Sequence, residues 1–159
     1  MSFIDNDSLY NQSFKSLSEF DGEFLRWTIN FYENGVKKQI INDSIKGKSY
    51  LVKATDLNND SISELVFITA DFYPKDSINQ NLMTTIFIYH LQNNFWNKIL
   101  VPDLVSQLGG KLYEGEVVQV VENKIIRTYS HYTEAYSNGK ENVISYQLSK
   151  SNELIVKKY

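Results

Sequence analysis

An all-β fold, an antiparallel β-sandwich or half-barrel with one or two short helical turns, is predicted by three features of the sequence. Short stretches rich in β-branched and aromatic residues recur along most of the chain. Brief turns containing Asn, Gly or Asp separate most of them. Only Asp103 to Leu108 has the marks of a helix, with Pro102 and an acid at its start and Gly109-Gly110 at its end. With 159 residues, 42% of them hydrophobic and 14% aromatic, the chain is expected to form a single β-sandwich domain over 1–159, with 1–20 a loosely attached N-terminal segment.

The elements follow in order. Residues 5 to 20 are polar, and Phe14, Leu17 and Phe20 at three-residue spacing permit a short helix. Phe24 to Tyr32 reads as a strand, and Asn34-Gly35 after it is a strong hairpin signal because both turn positions need positive φ. Val36 to Ile41 is its partner. Ser49 to Ala54 and Ser63 to Thr69 are the next two strands, joined across Asp56 to Asp60. Leu82 to Leu91 has apolar residues of both parities, which predicts a central strand covered on both faces. Gln92-Asn93-Asn94 then turns the chain into Phe95 to Val101. Glu116 to Val121 and Lys124 to Tyr132 form a hairpin across Glu122-Asn123, and Asn142 to Ser149 and Glu153 to Lys157 form the last.

Composition excludes several functions. Without cysteine there are no disulfides, thiolate metal sites or cysteine nucleophiles. Two histidines, His90 and His131, are too few for a His-rich metal centre. Sixteen basic residues stand against 19 acids, for a net charge of −3, and no basic run exceeds two residues. Binding to nucleic acid or an anionic membrane is therefore not expected. No apolar stretch is long enough to span a membrane as a helix. Met1 to Asp7 lacks the features of a signal peptide, leaving a cytoplasmic protein, or a periplasmic or cell-envelope protein whose export signal has been removed. No hydrolase, phosphate-loop, zinc-protease or other catalytic motif appears, so the chain is not expected to be an enzyme.

Three loops carry side chains suited to binding. Asp56, Asn58, Asp60 and Glu64 place oxygens at mostly alternate positions, as a compact calcium loop needs, with Asn59 and Ser61 where such loops have glycine. The other reading of these residues is an Asx-rich turn whose side chains cap backbone N–H groups. No other cofactor is suggested. The second loop, Asp71 to Asn81, is long for a hairpin and carries Phe72 and Tyr73 close to Lys75. It is either a partner-binding loop or a hairpin tip with Phe72 tucked into the core. In the third, Tyr113 and Glu114 precede a strand, and Arg127, Tyr129 and His131 share one face of the returning strand. That face is either a binding surface or an ordinary solvent-facing sheet.

The order of Asp56-Leu57-Asn58-Asn59-Asp60 through Glu64-Leu65, Ile88-Tyr89, Trp96-Asn97-Lys98-Ile99, Tyr113-Glu114-Gly115, Glu122 through Tyr129, and Ile144-Ser145-Tyr146-Gln147-Leu148 resembles the periplasmic inhibitors of I-type (invertebrate-type) lysozyme. The resemblance spans residues 49 to 159. Two motifs depart from that family's pattern. Ala70-Asp71-Phe72-Tyr73 stands where a Ser-Gly-x-Tyr segment is usual, and Glu116-Val117 replaces a His-Asp pair. The resemblance implies a β-sandwich that binds a peptidoglycan hydrolase or another protein and occludes its active site, as a lysozyme inhibitor or an immunity protein does. Phe72, Tyr73, Lys75, Tyr113, Glu114, Arg127 and Tyr129 are the partner-binding candidates. Two alternatives stand beside it: a calcium-stabilised structural or adhesion module built on the Asp56–Glu64 loop, and a carbohydrate-binding sandwich using Tyr and Trp platforms.

Overall fold

The computed structural model describes residues 2–5, 12–46, 49–72, 82–109, 113–131 and 141–159. Its strands are β1 (Ser2–Asp5), β2 (Gln12–Phe20), β3 (Phe24–Glu33), β4 (Val36–Lys46), β5 (Ser49–Thr55), β6 (Glu64–Phe72), β7 (Leu82–Gln92), β8 (Phe95–Val101), β9 (Tyr113–Val121), β10 (Lys124–His131), β11 (Glu141–Leu148) and β12 (Leu154–Lys158). A single helical turn, α1 (Leu104–Gln107), lies between β8 and β9. The protein is all-β and antiparallel, as the sequence predicts. Its strands form three open sheets, each a meander of four consecutive strands: β1-β2-β3-β4, β5-β6-β7-β8 and β12-β11-β10-β9.

The middle sheet, β5 to β8, is covered on both faces. On one face Leu65, Phe67, Phe87 and Tyr89 pack with Leu25, Trp27, Ile29 and Phe31 of β3. The Trp27 ring stacks on Phe67 at 4.5 Å, and Phe31 stacks on Trp96 at 4.2 Å. On the opposite face Val66, Ile68, Ile86 and Ile88 meet Val120, Ile125, Tyr129, Ile144, Tyr146 and Leu148 of the third sheet, with Leu57 and Leu104 filling the edges. Alternation explains why one strand can serve two cores: Ile86 and Ile88 point one way, Phe87 and Tyr89 the other. Each large side chain buried in this way stabilises the fold by about 1.5–3 kcal/mol.

Polar groups inside the first interface are matched. The Trp27 indole N–H donates to the Tyr89 hydroxyl (2.9 Å), which donates to Asp43 (3.1 Å), and Lys98 pairs with the same carboxylate. Burial, the largest influence on Tyr89, raises its hydroxyl pKa and keeps it protonated as a donor.

Residues 12–20, for which the sequence permits but does not require a helix, form a strand, paired in register with β3 from Gln12–Glu33 to Phe20–Leu25. The three-residue spacing of apolar residues is overridden by the open hydrogen-bonding edge that β3 offers. The α1 turn agrees with its sequence signals: the Asp103 carboxylate caps the Ser106 N–H at 2.8 Å, and Gly109 ends the turn at φ 66°.

The two ends of the stack differ. Lys53 donates to the Val120 carbonyl at 2.8 Å, Thr55 to that of Glu122, and the Leu148 N–H to that of Leu57 at 3.2 Å. These bonds bring the β5–β6 loop, the β9–β10 turn and the β11–β12 turn to one end. The Phe31–Trp96 stack brings the β3–β4 and β7–β8 turns to that end as well. At the other end lie the last residues of β6 and β10 and the first residues of β7, β9 and β11.

Candidate functional site

The Asp56–Glu64 loop is held by its own side chains. Asp56 accepts from the N–H groups of Asp60 (3.1 Å) and Ser61 (2.9 Å), Asn58 accepts from Asp60 (2.9 Å), and Asp60 accepts from Ile62 (2.8 Å). The Asn58 carboxamide donates to Asp60 and to Asn152, both at 2.9 Å, tying the loop to the β11–β12 turn. Glu64 is buried and accepts the Leu57 N–H at 2.6 Å. Burial pushes its carboxyl up to about 8, and the negative charges of Asp60 and Asp56 add to the rise, against the pull of the Leu57 N–H. The side chains thus act as an Asx-type cap. Among the described residues no group of three or more His, Asp or Glu side chains is arranged to hold a metal ion.

Asn59 and Ser61 take the left-handed backbone that glycine favours, at φ 58° and 72°. Asn tolerates this region, whereas Ser gains nothing there. Ser61→Gly is expected to raise stability by about 0.5–1 kcal/mol, the relief of strain being partly offset by glycine's freedom in the unfolded chain. Urea unfolding of the two proteins checks this, and a less stable variant would count against the strain.

Arg127 and Tyr129 are not on a solvent-facing sheet surface: both are buried between the second and third sheets. The reason is parity. Both share the inward face of β10 with Ile125, which packs in the same core. The Arg127 guanidinium has four named partners. Nε pairs with Glu116 at 2.9 Å, one terminal nitrogen donates to the Pro102 carbonyl (3.2 Å) and the Tyr146 hydroxyl (3.1 Å), and the other donates to the Thr84 carbonyl (3.3 Å). Gln107 of α1 completes the set, donating to Tyr146 at 2.8 Å and to Pro102 at 2.7 Å. The pair is 0% and 1% exposed, which takes it off any docking surface and makes it a clamp joining β7, α1 and the third sheet.

Glu116 reaches this position through a bulge. Val117 pairs with Thr128 and Glu114 with Ser130, so Gly115 and Glu116 together face Tyr129. Gly115 supplies the left-handed residue at φ 65°. The bulge also corrects the third loop: Tyr113 and Glu114 resume pairing, with His131 and Ser130, and belong to β9. Of the remaining candidates, Phe72 is the last residue of β6, paired with Leu82. Tyr73 and Lys75 lie outside the described residues.

The strands that carry or adjoin the Asp71–Asn81 and Tyr113–Gly115 segments do not share one sheet. The strands lie in two sheets, β6 and β7 in the second and β9 in the third. Their ends are nonetheless at the same end of the stack, because the guanidinium of Arg127 on β10 reaches Thr84 near the start of β7. Sequence reasoning missed Glu116, Thr84, Pro102 and Tyr146 as partners of Arg127. Arg127 between Ile125 and Tyr129 on one parity is the signal that could have marked it as buried. Comparison with known proteins adds no assignment: no family model matches the chain, and no curated protein matches it.

Proposed function

We propose that the protein is a non-enzymatic binding module that docks on another protein and occludes its active site, the partner being a peptidoglycan hydrolase met in the cell envelope. The observation that carries this reading is the convergence of the β6, β7, β9 and β10 ends on one side of the stack, fixed by the Arg127 clamp behind them. A rigid platform that gathers the ends of several strands is how a β-sandwich presents recognition residues. Tyr73 and Lys75 of the segment between β6 and β7, with Tyr113 at the start of β9, offer two aromatic anchors and a cation. A glycan-cleaving cleft lined by carboxylates is matched by donors of this kind. The net charge of −3 favours encounter with a basic hydrolase. The resemblance to I-type lysozyme inhibitors names the partner class.

Tyr73→Ala and Tyr113→Ala are each expected to weaken partner binding roughly 30-fold, about 2 kcal/mol per aromatic anchor, with unchanged melting temperature. Capture of lysozymes of several classes and of cell-wall toxins on the immobilised protein supplies the partner, and titration of the two variants supplies the affinity. Absence of any hydrolase bound tighter than micromolar ends the hydrolase reading. Lowered stability with unchanged affinity of the folded fraction removes these two residues from the site.

A further inference from the structure

The end of the stack opposite the proposed partner surface carries a groove of about 350 Å³ between two hairpin tips. Phe31, Glu33, Lys38 and Gln39 of the β3–β4 hairpin line one side, and Asn94, Phe95 and Trp96 of the β7–β8 hairpin line the other. Its volume is in the range of small-ligand sites, which span about 300–1,000 Å³.

The groove is preformed. Both hairpin turns hold left-handed residues, Asn34 and Gly35 in one and Asn93 and Asn94 in the other. Gln39 grips the Trp96 backbone at both polar atoms, donating to its carbonyl at 2.9 Å and accepting from its N–H at 2.7 Å. Phe31 lies against the Trp96 ring at 4.2 Å and 14°. Trp96 is thereby fixed before any ligand arrives, so ordering it costs a ligand little. Phe95 beside it is 67% exposed, which leaves its ring open to a ligand.

Charge narrows the ligand class. The two ionic residues of the lining, Glu33 and Lys38, pair with each other at 3.6 Å, which leaves the rim neutral. A phosphate or carboxylate ligand finds no unbalanced cation there. A neutral ligand with one apolar face and hydroxyls around its edge meets aromatic rings for the face, and a carboxylate, an ammonium and the Asn94 carboxamide for the hydroxyls. A pyranose ring has this character, its C–H face lying on the negative face of an aromatic ring. We propose that this groove is a binding site for a neutral sugar unit of an oligosaccharide. The proposal does not depend on the hydrolase reading, because the groove and the partner surface are at opposite ends.

Titration of the full chain with chitotriose and with cellotriose, followed by tryptophan fluorescence, tests it. Trp96 lines the groove, while Trp27, the other tryptophan, is buried against Phe67 and does not line it. At least one sugar is expected to give a saturable change with a dissociation constant of about 1 mM or tighter. Phe95→Ala is expected to weaken binding about tenfold, the loss of one exposed stacking ring, without lowering the melting temperature. No saturable change with either sugar, or Phe95→Ala binding as tightly as the unchanged protein, overturns the proposal. So does a dimer of the unchanged protein that Phe95→Ala converts to monomer, because a second copy then occupies the groove.

Discussion

Arg127→Met is expected to lower the unfolding free energy by about 3–5 kcal/mol, the cost of stranding one member of a buried ion pair. For a chain of this size that is a fall in melting temperature of roughly 6–20 °C. The substitution leaves the Glu116 carboxylate buried without its cation and removes donors from the Thr84, Pro102 and Tyr146 oxygens. Pro102 and Tyr146 keep Gln107. The stranded charge therefore dominates the loss. The double variant Arg127→Met/Glu116→Leu removes both charges and is expected to regain at least half of the lost stability, since apolar replacements of buried pairs are often neutral or stabilising. Urea midpoints of the three proteins decide it. A single-variant loss below about 1 kcal/mol, the range of exposed pairs, would show that water reaches the pair.

Glu64 is expected to make stability fall as pH rises from about 4.5 to about 8. Its carboxyl is raised in the folded protein to about 8 from an ordinary value of 4.5. Between those values the folded chain holds a proton that the unfolded chain has released. The folded state then binds more protons, so its stability decreases with rising pH and levels off above the folded value. Below the unfolded value both states are protonated and Glu64 contributes its full share. The total change attributable to this one group is on the order of a few kcal/mol. Glu64→Gln keeps an oxygen for the Leu57 N–H and carries no charge, so its stability exceeds that of the unchanged protein at pH 8 and matches it near pH 4. Because Asp21 and Asp103, whose pKa values are lowered by hydrogen bonds, titrate alike in both proteins, the difference curve isolates Glu64. Thermal melts from pH 4 to 9, each with chelator and with millimolar calcium, test the loop's role together with the slope. Equal curves with and without calcium fit the capped turn. A rise in melting temperature with calcium that Glu64→Gln abolishes would instead make the loop a cation site.

Much of the fold was legible because strand signals are local. The Asn34-Gly35 turn, the Glu122-Asn123 hairpin, the helical turn after Pro102 and the two-sided burial of Ile86 to Tyr89 all follow from residues within a few positions of one another. Residues 12–20 were less legible, since an apolar residue at every third position suits a helix as well as a largely polar strand, and only pairing with β1 and β3 decides between them. The candidate site was legible in its residue types and not in its faces. Ile125 and Ile126 give β10 an apolar residue on each side, so only Tyr129 tips the parity of Arg127 toward the core, a weak signal for a charged side chain. The bulge at Gly115 adds a second ambiguity, because it sets which residues of β9 share a face with Arg127.

By itself the sequence determined the all-β class, the order of the elements, the turn chemistry and the absence of cysteine chemistry, all of which depend on local backbone preference and composition. Only the tertiary structure decided that the strands divide into three stacked meanders, that Arg127 and Glu116 form a buried clamp, and that the β3–β4 and β7–β8 tips enclose a groove. Those features come from sheet-to-sheet packing, in which side chains far apart in the chain share one interface. Neither alternation nor turn residues along a single strand specify which sheet will cover its face.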